Sequence, residues 1–246
     1  MNEVFNRSEM ILGTAVLKRL AEVNVILFGV GGVGSWCAEG LVRTGLHHLT
    51  IVDADTVCPT NINRQLPALP GTVGQSKVEV LKKRLEAVNP EAEITAVQKL
   101  YTAETCGEFN LAEYDFVIDA IDTLQDKCLL IRRAIESGSV LFSSMGAANK
   151  FNPTLIRTAS LEKVQRCQLA KAVRRELKKT NGSSDFLCVY SEEESAAENQ
   201  ATEIREASFL PARKKINGSL VQVTAPFGFT LCSLLVNHLH AEQMGV

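Results

Sequence analysis

Residues 23–34 read VNVILFGVGGVG, and this stretch decides the fold. Val23–Gly29 is a short apolar, β-branched run that ends in glycine, which is typical of a buried strand. Glycines 29, 31 and 34 then open a helix that we expect to span Gly32–Thr44. A strand, this glycine spacing and a helix together indicate a turn whose backbone can approach phosphate oxygens.

The next hundred residues repeat this alternation of strands and helices. Buried strands are predicted at Leu49–Asp53, Ile94–Val97, Phe116–Asp119 and Val140–Ser144, and amphipathic helices at Ser76–Val88 and Leu124–Glu136. Strands that alternate with helices form parallel sheets with helices on both faces. The sequence therefore predicts an α/β fold with a Rossmann-like doubly wound, mostly parallel sheet.

Beyond Asn149 the pattern changes, so we expect one domain in two parts. Residues 1–149 would bind nucleotide, and residues 150–246 would bind substrate and form a dimer surface. The second part is predicted to hold strands Thr154–Arg157 and Phe186–Tyr190, a basic helix Val164–Lys179, and a buried or dimer-facing helix Leu220–Leu239. Residues 192–215 are acidic, then basic, with few apolar anchors, which predicts a mobile segment.

The charge of the chain is unevenly distributed. Across 246 residues the formal net charge is only −2, so the whole molecule is no general polyanion binder. Residues 150–179, however, hold nine Lys or Arg and only two acids, a local balance of +7. Such a segment indicates either a surface that attracts phosphates or a solvated helix face.

Cysteine spacing and hydropathy limit the class of protein. The seven cysteines are odd in number and scattered, and no Cys-x-x-Cys occurs, which argues against a disulfide framework and a cysteine-rich zinc site. The amino end lacks an apolar signal core, and Leu220–Leu239 contains polar residues that are costly in lipid. We therefore expect a cytoplasmic protein without stable membrane insertion.

A cluster of polar and charged residues follows the glycine turn. Asp53 ends the next strand, 19 residues after the last glycine, where a carboxylate can accept hydrogen bonds from ribose hydroxyls. Arg64 and Lys77 flank the following loop, and two such cations suit the β- and γ-phosphates of a triphosphate. Asn61 and Gln65 can add neutral hydrogen bonds. An NAD-dependent dehydrogenase would leave this cluster without a purpose, so the spacing favours ATP.

Two further carboxylates, Asp119 and Asp122, end the fourth predicted strand. The carboxyl ends of strands in such sheets border the ligand crevice. Asp122 is placed to hold magnesium on a triphosphate, or else to cap the next helix. For Asp119 we expect a structural role, as a cap of that helix or an anchor of the loop.

Together these residues resemble the ubiquitin-activating-enzyme-like adenylyltransferase family, whose members use ATP and magnesium to adenylate a carboxylate. The resemblance runs from about Phe5 to Leu239. It rests on the motifs Gly29-x-Gly31-Gly32-Val33-Gly34-Ser35, Asp53-x-Asp55, Asn61-x-x-Arg64-Gln65, Gly74-x-x-Lys77 and Asp119-x-x-Asp122.

The resemblance implies a role for each of these residues. Asp53 would bind the ribose, and Arg64 and Lys77 the phosphates, while Asp122 would hold magnesium. Arg7 resembles an amino-terminal arginine that reaches a nucleotide across the family's dimer interface, which implies a homodimer. Arg7, Arg64, Lys77 and Asp122 would then form the catalytic set. The ATP-binding set would be Gly29, Gly31, Gly32, Gly34, Asp53, Asp55, Asn61, Arg64, Gln65 and Lys77.

Within that family the chain is most similar to the branch that dehydrates threonylcarbamoyladenosine in tRNA. Activators of sulfur-carrier proteins usually hold zinc with two Cys-x-x-Cys pairs, which this chain lacks. The branch implies that the segment 150–179 holds the anticodon arm, through residues such as Lys171, Arg174 and Arg175. Matching segments are Asn152-Pro153-Thr154, Leu169–Arg174 and Cys188–Glu192. Cys188 itself suits a small buried hydrophobe better than a reactive thiol.

Other readings stay open. Adenylation of the carboxyl terminus of a ubiquitin-like or sulfur-carrier protein uses the same nucleotide residues, and such a carrier or a cysteine-desulfurase system is a candidate partner. A scaffold that senses nucleotide without turnover is a further alternative, but it would give Arg64 and Lys77 no catalytic role. The chain also departs from its branch at Ser160 and at Cys167-Gln168, where aspartate and Asp-Pro are usual. These departures concern the substrate rather than adenylation.

Overall fold

The computed structural model describes residues 3–180, 182–194 and 217–245, which alternate strands and helices. The strands are β1 Asn24–Phe28, β2 His48–Val52, β3 Glu93–Val97, β4 Phe116–Asp119, β5 Val140–Ser144, β6 Ile156–Ser160 and β7 Leu187–Ser191. The helices are α1 Asn6–Leu12, α2 Thr14–Glu22, α3 Gly34–Thr44, α4 Lys77–Val88, α5 Leu124–Ser137, α6 Gln168–Lys179 and α7 Val221–Met244.

Within the described residues, the strands form one seven-stranded sheet in the order β3-β2-β1-β4-β5-β7-β6. All neighbours pair in parallel except β6, which runs antiparallel to β7 at the edge. The α/β doubly wound prediction is therefore confirmed. Because β1 lies between β2 and β4, the strand order reverses beside it. In such sheets ligands bind outside the carboxyl ends of the strands at this point.

Helices cover both faces of the sheet. Val25 and Leu27 of β1 pack in a cluster with α2, α3, α4 and α7, whereas Ile26 and Phe28 pack on the opposite face with α5 and α6. Full burial of such a side chain is worth about 1.5–3 kcal/mol. Two continuous cores of this kind hold β1, and hence the glycine turn after it, in a fixed place.

Helix α7 brings the carboxyl-terminal part of the chain against this turn. A Cβ added at Gly228 would lie 2.4 Å from the carbonyl oxygen of Val33, so α7 packs directly on the entrance to α3. Most of its apolar residues are buried, as expected for Leu220–Leu239. In the part of the chain that the structure describes, no helix has the length and apolarity needed to cross a bilayer.

Three predicted boundaries in the second part were wrong by two to five residues, among them the end of α7, which lies at Met244 instead of Leu239. The strand predicted at 154–157 begins at Ile156, after a 3-10 turn Pro153–Leu155. The basic helix begins at Gln168 instead of Val164, because Arg166 has a φ of 56°, outside the right-handed helical region. The Arg174 guanidinium donates to the carbonyls of Leu161 and Val164 at 2.6 and 2.7 Å. Of the segment predicted to be mobile, residues 195–215 lie outside the described residues.

Candidate functional site

The glycine turn between β1 and α3 forms a cradle. Gly29 has a φ of 88°, and a Cβ there would lie 2.7 Å from the Ala120 carbonyl oxygen, so only glycine fits. At Gly31, by contrast, a Cβ would have its nearest contact, with the Gln65 side chain, at 3.8 Å. The space above Gly31 thus remains accessible beside the amino end of α3, where N–H groups without helical partners favour an anion.

Asp53 fixes the turn from the end of β2. Its carboxylate accepts hydrogen bonds from the backbone N–H of Val30 at 2.8 Å and of Asp55 at 2.9 Å. Burial raises the pKa of Asp53, although the Lys77 ammonium and both N–H donors act in the opposite direction. Each oxygen keeps a second lone pair, which suits hydrogen bonds from ribose hydroxyls.

Lys77 supplies a buried cation beside Asp53. It is the first residue of α4, and its side chain is only 6% exposed. Its ammonium lies 2.7 Å from Asp55 Oδ2, and its backbone N–H donates to the Asp55 carbonyl at 3.1 Å. The exposed Asp55 carboxylate thus holds the ammonium in place and leaves it donors for a phosphate oxygen.

Arg64 lies on the other side of the turn. Its Cγ would be 3.3 Å from a Cβ at Gly32, so the stem of the side chain lies along the glycine turn. Its guanidinium donates to the Thr60 carbonyl at 2.9 Å and to Asn63 Oδ1 at 2.8 Å. The Trp36 indole donates to the Arg64 carbonyl at 3.0 Å, which ties the loop to α3. Arg64 therefore borders the glycine turn directly, and Lys77 lies beside Asp53, which is hydrogen-bonded to that turn.

Unpartnered polar atoms also border the turn. Gln65 Oε1 and Thr224 Oγ1 are buried and have no hydrogen-bond partner within the described ranges. Thr224 lies 3.3 Å from the position of a Cβ at Gly32. Because buried polar groups are normally satisfied, such atoms beside an accessible glycine cradle fit a polar ligand. Asn61 also holds the loop, since its Oδ1 accepts from the Cys58 N–H at 3.0 Å.

The two carboxylates after β4 have different surroundings. Asp119 is fully buried, bonded to Lys127 and Ser143 at 2.6 Å each. Asp122 is exposed in the turn before α5, at the same edge of the sheet as the glycines. The described residues contain no cluster of three metal-ligating side chains. A single carboxylate suits magnesium, which usually binds one or two carboxylates together with substrate phosphates.

Comparison with known proteins identifies the family. Residues 5–238 match the family model described as ThiF. The chain belongs to the ThiF family. The tRNA threonylcarbamoyladenosine dehydratase of Bacillus subtilis is 42% identical over 77% of this chain and 74% of its own length. That of Escherichia coli is 32% identical over 97% of this chain and 94% of its own. This confirms the resemblance inferred from the motifs.

A solved structure extends the match of this ThiF-family chain to three dimensions. The crystal structure of Escherichia coli tRNA N6-threonylcarbamoyladenosine dehydratase in complex with ATP superposes with a TM-score of 0.87. It is 31% identical in sequence and covers 98% of this chain and 96% of that chain. The same enzyme in complex with AMP gives a TM-score of 0.86.

Arg7 lies elsewhere in this ThiF-family fold. It is exposed on α1, and Phe5, two residues earlier, contacts His47 with ring centroids 6.5 Å apart. His47 immediately precedes β2, so it lies at the amino ends of the strands, whereas Asp53 follows the carboxyl end of β2. A five-residue strand spans about 16 Å. The start of α1 is therefore anchored at the amino ends of the parallel strands, whereas the glycine turn lies at their carboxyl ends.

The basic segment 150–179 is only partly a free surface. Arg174 donates to the carbonyls of Leu161 and Val164, so this arginine serves the fold, and its role in tRNA binding stays a prediction. Lys150 donates to the backbone carbonyl of Glu193, which lies in the acidic run 192–194. Ion pairs hold three more cations: Arg157 with Glu192, Arg166 with Glu194, and Lys179 with Glu176. Among the described residues no ion pair engages Lys163, Lys171, Arg175 or Lys178, which are exposed.

Sequence reasoning missed several residues that shape the site. Lys127 is an interior helix position, and no local pattern signals that its ammonium reaches Asp119. Ser35 was quoted only as part of the glycine motif, yet its hydroxyl donates to the Gly31 carbonyl at 2.6 Å and accepts from the Leu66 N–H at 3.2 Å. Thr224 arrives from nearly two hundred residues away. The contacts of Ser35 with Leu66 and of Thr224 with the glycine turn join elements that are distant in sequence. Lys127 and Asp119 are only eight residues apart, but their contact depends on how α5 packs on β4.

The structure also accounts for Cys188 and for the departures. Cys188 is fully buried, and burial raises its pKa, which keeps the thiol neutral and unreactive. Cys167 occupies the N-cap of α6, where its sulfur accepts from the Ala170 N–H at 3.5 Å. Ser160 occupies the cap position of the 3-10 turn Leu161–Lys163. Both departures thus fall at capping positions.

Proposed function

We propose that this chain is an ATP-dependent tRNA threonylcarbamoyladenosine dehydratase that adenylates the threonyl carboxylate and closes a ring, with release of AMP and pyrophosphate. One arrangement carries the proposal: Arg64 lies along the glycine turn, and Lys77 lies beside Asp53, whose carboxylate is hydrogen-bonded to the same turn. The names and the ATP and AMP complexes of similar proteins support it.

The chemistry explains why a triphosphate is required. A carboxylate is a poor electrophile because oxide would have to leave. Its oxygen attacks the α-phosphorus of ATP, pyrophosphate departs, and the acyl group gains AMP as a good leaving group. The neighbouring carbamoyl group then attacks the acyl carbon and expels AMP, so the nucleoside loses one water overall. Ring closure is intramolecular and needs no protein nucleophile, in keeping with the buried Cys188 thiol.

The protein's contribution is positioning and charge stabilisation. Asp53 would accept the ribose hydroxyls. Lys77 and Arg64 would offset the charge that develops as pyrophosphate leaves, with Asn61 and Gln65 alongside. Asp55 holds the Lys77 ammonium at 2.7 Å. Asp122 would hold magnesium, which supplies charge neutralisation on the phosphates when it is bound.

Arg7 would act on a second copy of the chain. Because Phe5 anchors the start of α1 at the far edge of the sheet, Arg7 is poorly placed for its own glycine turn. In α1 the side chains of Met10 and Ile11 are 84% and 82% exposed. An exposed apolar helix that carries a cation fits a homodimer in which α1 of each copy completes the nucleotide site of the other copy.

The tRNA would lie against the outer face of α6. Lys171, Arg175 and Lys178 are exposed on this helix, whose opposite face buries Ala170, Val173 and Leu177. The amino end of α6 approaches the carboxyl end of β5, since a Cβ at Gly146 would lie 3.7 Å from Leu169. A row of cations that leads to the crevice suits the phosphates of an anticodon arm. Such a substrate would place the activity in the cytoplasm.

Mass spectrometry of tRNA nucleosides tests the proposal. Incubation of threonylcarbamoyladenosine-containing tRNA with the protein, ATP and magnesium should lower the mass of that nucleoside by one water. Omission of ATP should abolish the change. Unchanged nucleosides, with ATP split in the presence of a carrier protein, would instead support adenylation of a protein carboxyl terminus.

That second candidate has one specific observation in its favour. A mosquito protein named adenylyltransferase and sulfurtransferase MOCS3 is 35% identical over half of this chain, although this covers only 29% of its own length. A sulfur-carrier protein, or a component of a cysteine-desulfurase system, would then be the partner. Pyrophosphate release with such proteins in place of tRNA distinguishes the two candidates.

A further inference from the structure

A buried ion pair lies directly behind the turn that carries Asp122. Lys127 Nζ of α5 is 2.6 Å from Asp119 Oδ2 of β4, and both side chains are 0% exposed. The Ser143 hydroxyl of β5 donates to the same oxygen at 2.6 Å. The backbone N–H of Ile121 donates to Oδ1 at 3.0 Å. One carboxylate therefore joins two strands, one helix and the turn between them.

Stability alone gives little reason to keep such a pair. Burial removes both ions from water, and well-packed apolar replacements of buried pairs are often neutral or stabilising. What this carboxylate does hold is the backbone of the turn. The Ala120 carbonyl would be 2.7 Å from a Cβ at Gly29, so the turn is pressed against the glycine cradle. The Ala120 N–H also donates to the Phe28 carbonyl at 2.9 Å.

We propose that Asp119, Lys127 and Ser143 are positioning residues that set Asp122, and the magnesium it would hold, against the phosphates at the glycine cradle. None of the three touches the nucleotide, because all are buried beneath the turn. Their effect passes through the Ile121 N–H to the residue that follows it. This inference rests on the proposed function, since it concerns how that site binds magnesium and ATP.

Two adjacent serines at the end of β5 provide the test. Ser143 bonds to Asp119, whereas the hydroxyl of Ser144, also buried, donates to the Met145 carbonyl at 3.0 Å. Calorimetric titration of ATP into Ser143→Ala, Ser144→Ala and the parent protein, at a series of magnesium concentrations, isolates the contribution of Asp119. Pyrophosphate release with tRNA is followed in parallel.

For Ser143→Ala we expect the magnesium concentration needed for tight ATP binding to rise about 10-fold, the usual scale for loss of a group that orients a metal ligand. ATP affinity without magnesium should match the parent, and kcat should fall while KM for tRNA is unchanged. Ser144→Ala should behave as the parent. Equal magnesium dependence in the two alanine variants would overturn the inference and leave the pair a purely structural feature.

A second pair of variants guards against a packing effect at residue 143. Ser143→Thr and Ser143→Val have nearly the same shape, but only threonine keeps the hydroxyl. Threonine should restore the magnesium dependence of the parent and valine should not, and equal behaviour of the two would also overturn the inference. Parent protein that binds no ATP under any condition would instead refute the proposed function, and the inference with it.

Discussion

The glycine-turn region and the α6 region both contain clusters of cations, yet the fold uses the two clusters differently. Beside the glycine turn, Lys77 and Arg64 are held by Asp55 and by loop atoms at positions that still border the cradle. Around α6, more than half of the cations bind nearby acids or carbonyls. We therefore expect a cation beside a glycine turn to mark a binding site more often than a run of cations does, because nearby acids and carbonyls can neutralise a run.

The difference between the two regions is tested most severely at Lys77. Lys77→Met should lower the rate of tRNA-dependent pyrophosphate release by about 10²–10³, the usual cost of one charge-stabilising donor. Lys82→Met on the same helix is the control, since Lys82 pairs with Glu86 at 3.6 Å in an i,i+4 pair. A Lys77 variant that keeps most of its activity would contradict the assignment of a phosphate-binding cation.

The α6 region provides a second test of this difference. Lys171→Ala combined with Arg175→Ala should weaken tRNA binding and reduce the slope of log affinity against log salt by about 0.7–0.9 for each phosphate that the variant no longer neutralises. ATP affinity should not change. Filter binding of tRNA at several salt concentrations measures both the tRNA affinity and its dependence on salt.

Arg174→Leu should behave differently, because its guanidinium serves two backbone carbonyls. Loss of a donor to buried acceptors costs about 1–3 kcal/mol, so the free energy of unfolding should fall. The salt slope of tRNA binding should stay that of the parent. A selective loss of tRNA affinity in a stable Arg174 variant would show that this arginine belongs to the binding surface after all.

The pH dependence of stability tests the burial of Asp53 at the glycine turn. Because burial raises its pKa above the ordinary 3.8, its contribution to stability is present below that value and is lost as pH rises through the folded-state pKa. The amide of an Asp53→Asn variant does not titrate, so this loss of stability does not occur in the variant. The stability of the variant relative to the parent should therefore increase between about pH 4 and pH 7, while its ATP affinity falls. Urea unfolding at the two pH values, with no relative gain for the variant, would contradict the burial argument.

The smallest expected effect concerns the departure at Cys167. Aspartate is a better N-cap than cysteine, so Cys167→Asp should raise the free energy of unfolding by about 0.5–1 kcal/mol. Substrate turnover should not change. Ser160→Asp is the comparison at the other capping position, where the serine side chain makes no capping hydrogen bond. A change of tRNA preference in Cys167→Asp would show that this position does read the substrate.

Several features were predictable because they depend on local spacing. The strand before Gly29, the helix after it and the carboxylate at Asp53 follow from periodicity and from the reach of a short βαβ unit. The family motifs likewise placed Arg64 and Lys77 on the two sides of the loop beyond Asp53. The predicted start of the basic helix was wrong because Arg166 adopts a φ of 56°, which the apolar spacing of this segment does not indicate.

The sequence by itself determined the order of strands and helices, the nucleotide motifs and the family, because each depends on residues close together in the chain. Only the tertiary structure decided which charges remain available. Lys127 reaches Asp119, Arg174 reaches two carbonyls, and α7 brings Thr224 to the glycine turn. The physical reason is that a buried charge must find its partner wherever packing places one, and packing joins residues that no local pattern connects.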